Sequence, residues 1–325
     1  MKQTTFASLA WSAKGRTTRR ERFLAEMDAV VPWGRLTALV EPHYPKGSGG
    51  GGRPPMPLER MLRIYFMQQW FNLSDPQAED ALYDIEPMRR FAGIELAEEA
   101  IPDETTILNF RHLLEKHQLT ERMFAEVRQL LEEKKLLLKS GTIVDATIIS
   151  APTSTKNATK SRDPEMHQGK KNKRQWDFGM KVHIGASKQG LVHSLVTGPA
   201  NEADITKLDG LLHGAEKELY GDQAYWSEDH RQQCKHAGIR YRVNRRPKTQ
   251  YHPLTEYQRL INRARSRCRA RGEHAFHVVK RLWGFAKVRY RGLAKNTART
   301  FALFALANLY LVRRRLLPRR AQFAL

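Results

Sequence analysis

Three acidic residues stand where a carboxylate is either costly or ringed by cations. Asp145 is the only charge in Gly141-Thr-Ile-Val-Asp145-Ala-Thr-Ile-Ile149, a short β-branched run that reads as one strand buried on both faces. An ionised carboxylate in such surroundings needs a partner or a metal ion. Asp222 ends a second short strand, Leu219-Tyr-Gly-Asp222, and Glu273 lies in a very basic helical stretch. There Arg269, Glu273 and Lys280 fall at i−4, i and i+7, one stripe of a 3.6-residue helix. A carboxylate between two cations matches a metal ligand flanked by phosphate-binding groups. Each acid also has a plainer reading. Asp145 can be hydrogen-bonded near a strand end, Asp222 can cap the turn that follows, and Glu273 can pair with arginines on a solvated face.

Strand alternation puts Ile143, Asp145 and Thr147 on one face, and Val144, Ala146 and Ile148 on the other. Ser150 to Gln175 is polar and carries Lys156, Lys160, Arg162, Lys170, Lys171, Lys173 and Arg174, as expected of a solvated loop able to contact phosphates. Met180–Ser187 and Leu191–Thr197 flank Lys188-Gln-Gly190, a hairpin signal. Asn201 to Glu218 is expected to form a helix with Ile205, Leu208, Leu211 and Leu212 apolar. Ile239–Val243 reads as a strand with Arg240 and Arg242 on one side, Leu254 to about Leu282 as one long helix, and Phe301–Val312 as a buried helix. Together these make a mixed α/β domain over 139–325.

The amino-terminal part is helical by pattern. Residues 18–44 suggest one or two short helices, and Gly47-Ser-Gly-Gly-Gly-Gly52 a flexible tether, closing a first segment at residue 52. A second domain, 53–138, opens on the stiffer Arg53-Pro-Pro-Met-Pro57. Ser74-Asp-Pro-Gln77 resembles a capping box. Pro102-Asp103-Glu104 opens a helix with Ile107, Leu108, Phe110 and Leu114 inward and Asn109, Arg111 and His112 outward, and Thr120 is expected to cap a helix reaching about Leu138. Short helices of this kind suit a helix-turn-helix docked in DNA or a bundle mediating dimerisation.

The net charge is +22, and its placement is uneven. From Arg231 onward lie 25 of the 56 Lys and Arg but only 2 of the 34 Asp and Glu, so the whole excess sits in the last 95 residues. A polyanion is the natural partner, because each neutralised phosphate releases counterions. A basic amphipathic membrane anchor is not evident, and no apolar run is long enough to span a bilayer. Cys234 and Cys268 form no C-x-x-C and read as reduced thiols of a cytoplasmic protein; Met1-Lys-Gln-Thr-Thr-Phe lacks the apolar core of a secretion signal. His183 and His193 do not sit at zinc spacing. Trp226, Trp283, Phe285 and Tyr290 are expected in the core, with stacking on bases the alternative.

Several motifs together resemble the DDE transposases of bacterial insertion sequences, and most closely the insertion-sequence five (IS-five) group. They are Ile143-Val-Asp145-Ala-Thr, Phe178-Gly-Met-Lys181-Val-His183, Gly221-Asp222-Gln-Ala-Tyr225 and Arg269-x3-Glu273-x6-Lys280. Pro57-Leu-Glu-Arg-Met-Leu-Arg-Ile64, Asn72-Leu-Ser-Asp75, Glu79-Asp-Ala-Leu-Tyr83, Pro102-Asp-Glu-Thr-Thr-Ile107 and Asn109-Phe-Arg-His112 extend the likeness toward the N-terminus. The resemblance implies an RNase H-like mixed-sheet catalytic core preceded by an all-helical domain, with Asp145, Asp222 and Glu273 as catalytic and metal-binding acids. It implies two Mg²⁺ ions, with Mn²⁺ able to substitute, since hard cations prefer oxygen ligands and offset the repulsion of clustered carboxylates. Arg269 and Lys280 would hold phosphate, as would Lys170, Lys171, Lys173, Arg174 and Lys181. The family's Tyr position on the last helix falls on Ser266, a departure that leaves the acids untouched. The expected partners are double-stranded DNA, as terminal inverted repeats and target, and further copies of the chain in a dimer or larger assembly. A nuclease on the same fold and a catalytically silent DNA-binding regulator are the rival expectations.

Overall fold

Helix caps and 3.6-residue apolar spacing set out the amino-terminal half. The computed structural model describes residues 11, 13–46, 54–96, 99–156, 160–170, 176–247 and 252–317, so the Gly47–Gly52 tether lies outside the described residues. Helix α1 (Arg19–Val30) starts at a capping box between Thr18 and Glu21. It is followed by α2 (Trp33–Val40), α3 (Leu58–Phe71), α4 (Asp75–Asp84), α5 (Glu86–Phe91), α6 (Glu104–Lys116) and α7 (Leu119–Glu133). The Ser74–Gln77 capping box forms with both of its hydrogen bonds, and the Asp103 side chain accepts from the Thr106 N–H at 2.6 Å. Thr120 does not cap α7. The turn out of α6 closes on Gln118 in the left-handed region (φ 52°), so the helix resumes two residues early and buries Thr120 inside it. It ends at Glu133, and Leu136 and Leu137 are buried beyond its end.

Arg111, expected to face outward on α6, is instead buried. Its guanidinium donates to Asp75 on α4 at 2.9 Å and to Glu115 one turn on at 2.9 Å, and it lies 4.2 Å from the centre of the Tyr290 ring. Helical spacing puts Arg111 beside Phe110 on the inward side. Two carboxylates and an aromatic face make that burial tolerable.

The carboxy-terminal half is built on one sheet: β1 (Thr142–Ser150), β2 (His167–Lys170), β3 (Trp176–Ser187), β4 (Val192–Pro199), β5 (Glu218–Gly221) and β6 (Arg240–Val243). β3 pairs antiparallel with β1, β2 and β4, whereas β5 runs parallel to both β1 and β6. The 180–197 hairpin therefore forms as read. β2 emerges from the stretch expected to be a loop, where the buried Met166 and Gly169 let a polar segment dock on β3. Gly179, in the Phe178-Gly-Met-Lys181 motif, meets the backbone of β1 so closely that an added Cβ would strike the Ile149 carbonyl.

Two further expectations give way. Residues 201–218 form no α-helix but two 3₁₀ turns, Asp204–Lys207 and Asp209–Leu211. Gly210 and Gly214 (φ +82°) weaken a continuous helix there, while Leu208 and Leu211 still reach the core. The single basic helix over 254–282 is broken. α8 (Glu228–His236) precedes β6, then α9 (Glu256–Arg269) stops, a turn runs through Gly272, and α10 (Glu273–His277) continues into a π-helical turn, Val278–Leu282. A Cβ on Gly272 would stand 3.0 Å from Ile143 Cγ2, so the break lets the chain press onto β1.

α11 (Leu293–Leu316) extends well beyond the expected Phe301–Val312 and packs on α7, α1, α3 and β4. One apolar cluster consequently joins residues on both sides of position 138, from Leu24 through Met180 to Leu309. Trp283 and Phe285 belong to it, in keeping with the core reading. A second, smaller cluster unites Val144, Leu208, Leu211, Leu219, Tyr225 and Val243 on the opposite face of the sheet. No helix among the described residues is long and apolar enough to cross a membrane.

Candidate active site

β1 and β5 decide where the first two acids stand. The parallel register pairs Ile143 with Tyr220, and two residues further along each chain are Asp145 and Asp222. Residues two apart keep the same face, and neighbouring strands lie about 4.8 Å apart, so the two carboxylates leave adjacent backbones on one side of the sheet. Asp222 follows the last residue of β5 and also caps the turn after it, accepting from the Ala224 N–H at 2.8 Å. That plainer reading holds alongside the other.

The face carrying Ile143, Asp145 and Thr147 is covered by the broken basic helix, residue by residue. Gly272 meets Ile143, Arg269 meets Asp145 (Nη1 to Oδ1, 3.4 Å), and Lys280 Nζ donates to Thr147 Oγ1 and the Ile148 carbonyl, each at 2.9 Å. Arg269 also reaches Glu273, Nη2 to Oε1, at 3.7 Å. Glu273 is the most open of the three acids, with 58% of its side chain exposed against 13% for Asp145. Asp145 is therefore a buried carboxylate facing one guanidinium. Burial, the largest influence, pushes it up to about 6; Arg269 and the Ala146 N–H pull the other way, and the charges of Asp222 and Glu273 raise it further.

Comparison with known families bears directly on this segment. Residues 137–309 match the family model described as Transposase DDE domain, which takes in all three acids and both cations. The chain belongs to the DDE transposase family. Residues 12–113 match a second model, described as Transposase domain, over the amino-terminal helices. No solved structure matches the chain.

Transposases of this family generally use divalent metal ions. The oxygen-rich, partly desolvated donors here suit such ions chemically, because clustered carboxylates in low dielectric need a cation. Among the described residues no three His, Cys, Asp or Glu side chains form a ready metal shell. Arg269 stands between Asp145 and Glu273 as the local counter-charge instead. Replacing it should therefore favour metal. Arg269→Gln is expected to bind Mn²⁺ about tenfold more tightly than the parent chain, read by titration calorimetry or the loss of the free-ion electron-spin resonance signal.

Of the other cations read from the sequence, the two that are described, Lys181 and Lys170, do not gather at the acids. Lys181 lies on the far face of the sheet, bound to Asp204 at 2.8 Å and the Glu202 carbonyl at 2.7 Å, because its register partner Ile148 alternates away from Asp145. Lys170 sits on β2 opposite Trp176, about 25 Å along β3 from the Ile184 that pairs with Asp145. Lys171, Lys173 and Arg174 fall outside the described residues. Sequence reading missed Glu218, a buried carboxylate one residue before the strand as read. It binds Lys188, Arg240 (3.0 Å) and Arg242 (3.1 Å), so one negative charge is shared among three cations, both arginines of β6 included. It also missed the pair beneath the acids, His183 Nδ1 and Tyr225 Oη at 3.1 Å, where burial holds His183 down to about 4 and hence neutral at pH 7. The Gly221-Asp222-Gln-Ala-Tyr225 run carried that signal.

Proposed function

We propose that this transposase has an RNase H-like catalytic core, binds the terminal inverted repeats of its own insertion sequence, and cleaves and joins DNA strands at Asp145, Asp222 and Glu273. Its membership of the IS-five group rests on the motifs quoted from the sequence. The sheet supports the fold reading: an antiparallel set of β4, β3 and β1 is continued by parallel β5 and β6. The first acid lies on β1 and the second just past β5.

The reading is carried by Asp145 on β1 and Asp222 just past the end of the adjacent parallel β5, near enough for the two charges to act on each other, with Arg269 against Asp145 and Lys280 against β1. The three carboxylates would hold two Mg²⁺ ions, with Mn²⁺ able to substitute. Such ions, when bound, make a water or 3′-hydroxyl a better nucleophile and stabilise the departing oxygen of a phosphodiester. Asp145 supplies a desolvated carboxylate whose charge is strongly favoured by a nearby cation. Arg269, released from the acids, presents a planar fork to a phosphate, and Lys280 adds a point charge held against β1 by Thr147 and Ile148. Double-stranded DNA is the substrate, and two ends require a dimer or higher assembly.

A strand-transfer assay with pre-cleaved inverted-repeat ends and a plasmid target tests the proposal. Joined products in Mg²⁺ are expected. Cleavage without joining would make the chain a nuclease on this fold, and DNA binding with neither would make it a silent regulator.

A further inference from the structure

The carboxyl edge of the sheet continues past Asp222 into an arginine-lined cleft. Gly221 pairs with Val243 across β5 and β6, and the Asn244 N–H donates to the Gly221 carbonyl at 3.1 Å. Asn244 and Arg245 thus leave the sheet on the same edge as Asp222, one strand outward. In parallel α/β sheets, the crevice beyond the strand carboxyl ends is where ligands collect.

The cleft encloses about 230 Å³ and is lined by Trp226, Arg231, Lys235, Tyr241, Arg245 and Arg265. No acid lines it. Arg231 has an outside partner, Glu228 at 2.7 Å. Glu218, the buried acid at this end of the sheet, is already shared among Lys188, Arg240 and Arg242. Arg265 is the telling group: its Nη1 donates to the Val243 carbonyl at 2.7 Å, yet its Nε is buried with no hydrogen-bond partner. Burial, then the charges of Arg245 and Arg242, holds its guanidinium below the usual arginine range. Trp226 and Tyr241, edge to face at 5.4 Å, make one wall rigid, and the Arg245 guanidinium lies 6.0 Å from the Trp226 ring. Like charges crowded around an orphan donor are unfavourable in the empty protein and become favourable only when an anion enters.

We infer that this cleft is a binding site for backbone phosphates of a DNA strand running outward from the acidic site, with Arg245 and Arg265 as the contacting groups. The inference rests on the DNA-acting reading above but assigns it a track that neither Arg269 nor Lys280 supplies. A strand lying across Asp222 toward β6 meets Arg245 next.

The test is fluorescence anisotropy with a labelled 40-base-pair duplex over a salt series, comparing the full chain with Arg245→Gln and with Arg245→Gln/Arg265→Gln, alongside thermal melting of each protein. The double variant is expected to lose about tenfold or more in affinity near 0.1 M salt, and its slope of log K against log salt to shrink by about 1.8, two phosphates' worth. Arg245→Gln is expected to melt no lower than the parent, since it relieves repulsion on Arg265. A duplex ending in the inverted repeat and one of unrelated sequence should lose affinity equally, because phosphates carry no base identity. Unchanged affinity and slope in the double variant, with the parent binding normally, would overturn the cleft assignment alone. A parent chain with no salt-dependent DNA binding would overturn the functional reading as well.

Discussion

Asp145→Asn is expected to cut strand cleavage and joining by at least about 100-fold, more than removing an outer partner of a metal ligand does, while leaving DNA affinity near that of the parent. The same substitution should make the metal-free protein more stable. Asp145 is pushed up to about 6 in the fold from an ordinary 3.8. The folded chain therefore binds that proton more tightly than the unfolded chain. Stability contributed by the protonated form is present below about pH 4 and is lost as pH rises toward 6, a loss of roughly 3 kcal/mol at neutral pH. Asn carries no charge to desolvate. Urea unfolding without metal should show Asp145→Asn gaining roughly 2–3 kcal/mol at pH 7 and almost nothing at pH 4. Adding Mg²⁺ should raise the midpoint of the parent and not of the variant. A variant less stable than the parent at pH 7 would mean that Asp145 is held by the fold rather than strained against it.

Arg111→Met should produce the largest loss of stability, about 3–5 kcal/mol, because it strands two partly buried carboxylates. Arg111 is 7% exposed in its side chain, and Asp75 and Glu115 are each 15% exposed. Asp75 additionally accepts from Gln68 at 2.8 Å, so its carboxylate is already tied to α3. Methionine keeps most of the apolar stem against Tyr290 and removes only the charge. Neutralising one stranded acid should recover part of the loss, and a cycle of Arg111→Met with Asp75→Asn, followed by chemical denaturation, measures that coupling. The same junction holds Arg299 of α11. It donates to Gln69 at 3.1 Å and Asn72 at 2.8 Å on the amino-terminal side, and burial holds its guanidinium down to about 10. The helices before residue 138 are thus bonded through arginines to the segment that closes the sheet.

The local pattern made much of the site legible. Asp145 is ringed by β-branched residues that allow little but a strand, and alternation alone put Ile143, Asp145 and Thr147 on one face. The Arg269, Glu273 and Lys280 spacing was also legible, although the straight helix it assumed is broken at Gly272. There Gly272 lies close against Ile143, and a contact across 129 positions leaves no trace in helical periodicity. Arg111 went astray for a similar reason. Helical spacing sets it on the inward side, four residues after buried Ile107, but its charge reads as a surface residue, and only the convergence of Asp75, Glu115 and Tyr290 makes the burial tolerable. The helix expected over 201–218 had the right apolar residues; their burial beneath the sheet was achieved by 3₁₀ turns, because Gly210 and Gly214 lower the cost of leaving the helix.

Residue type and near-neighbour spacing were enough to mark the three acids as candidates, the strand that bears Asp145 and the one that stops just before Asp222, the basic carboxy-terminal third and the family resemblance. The tertiary structure decided which cations face the acids. Lys181 was turned away by β-sheet alternation and claimed by Asp204, Arg240 and Arg242 were claimed by Glu218, and Arg269 was brought onto Asp145 from 124 residues away. Charge composition fixes how many cations there are; whether one is free for a phosphate depends on which carboxylate the fold brings within reach, and that is a property of packing.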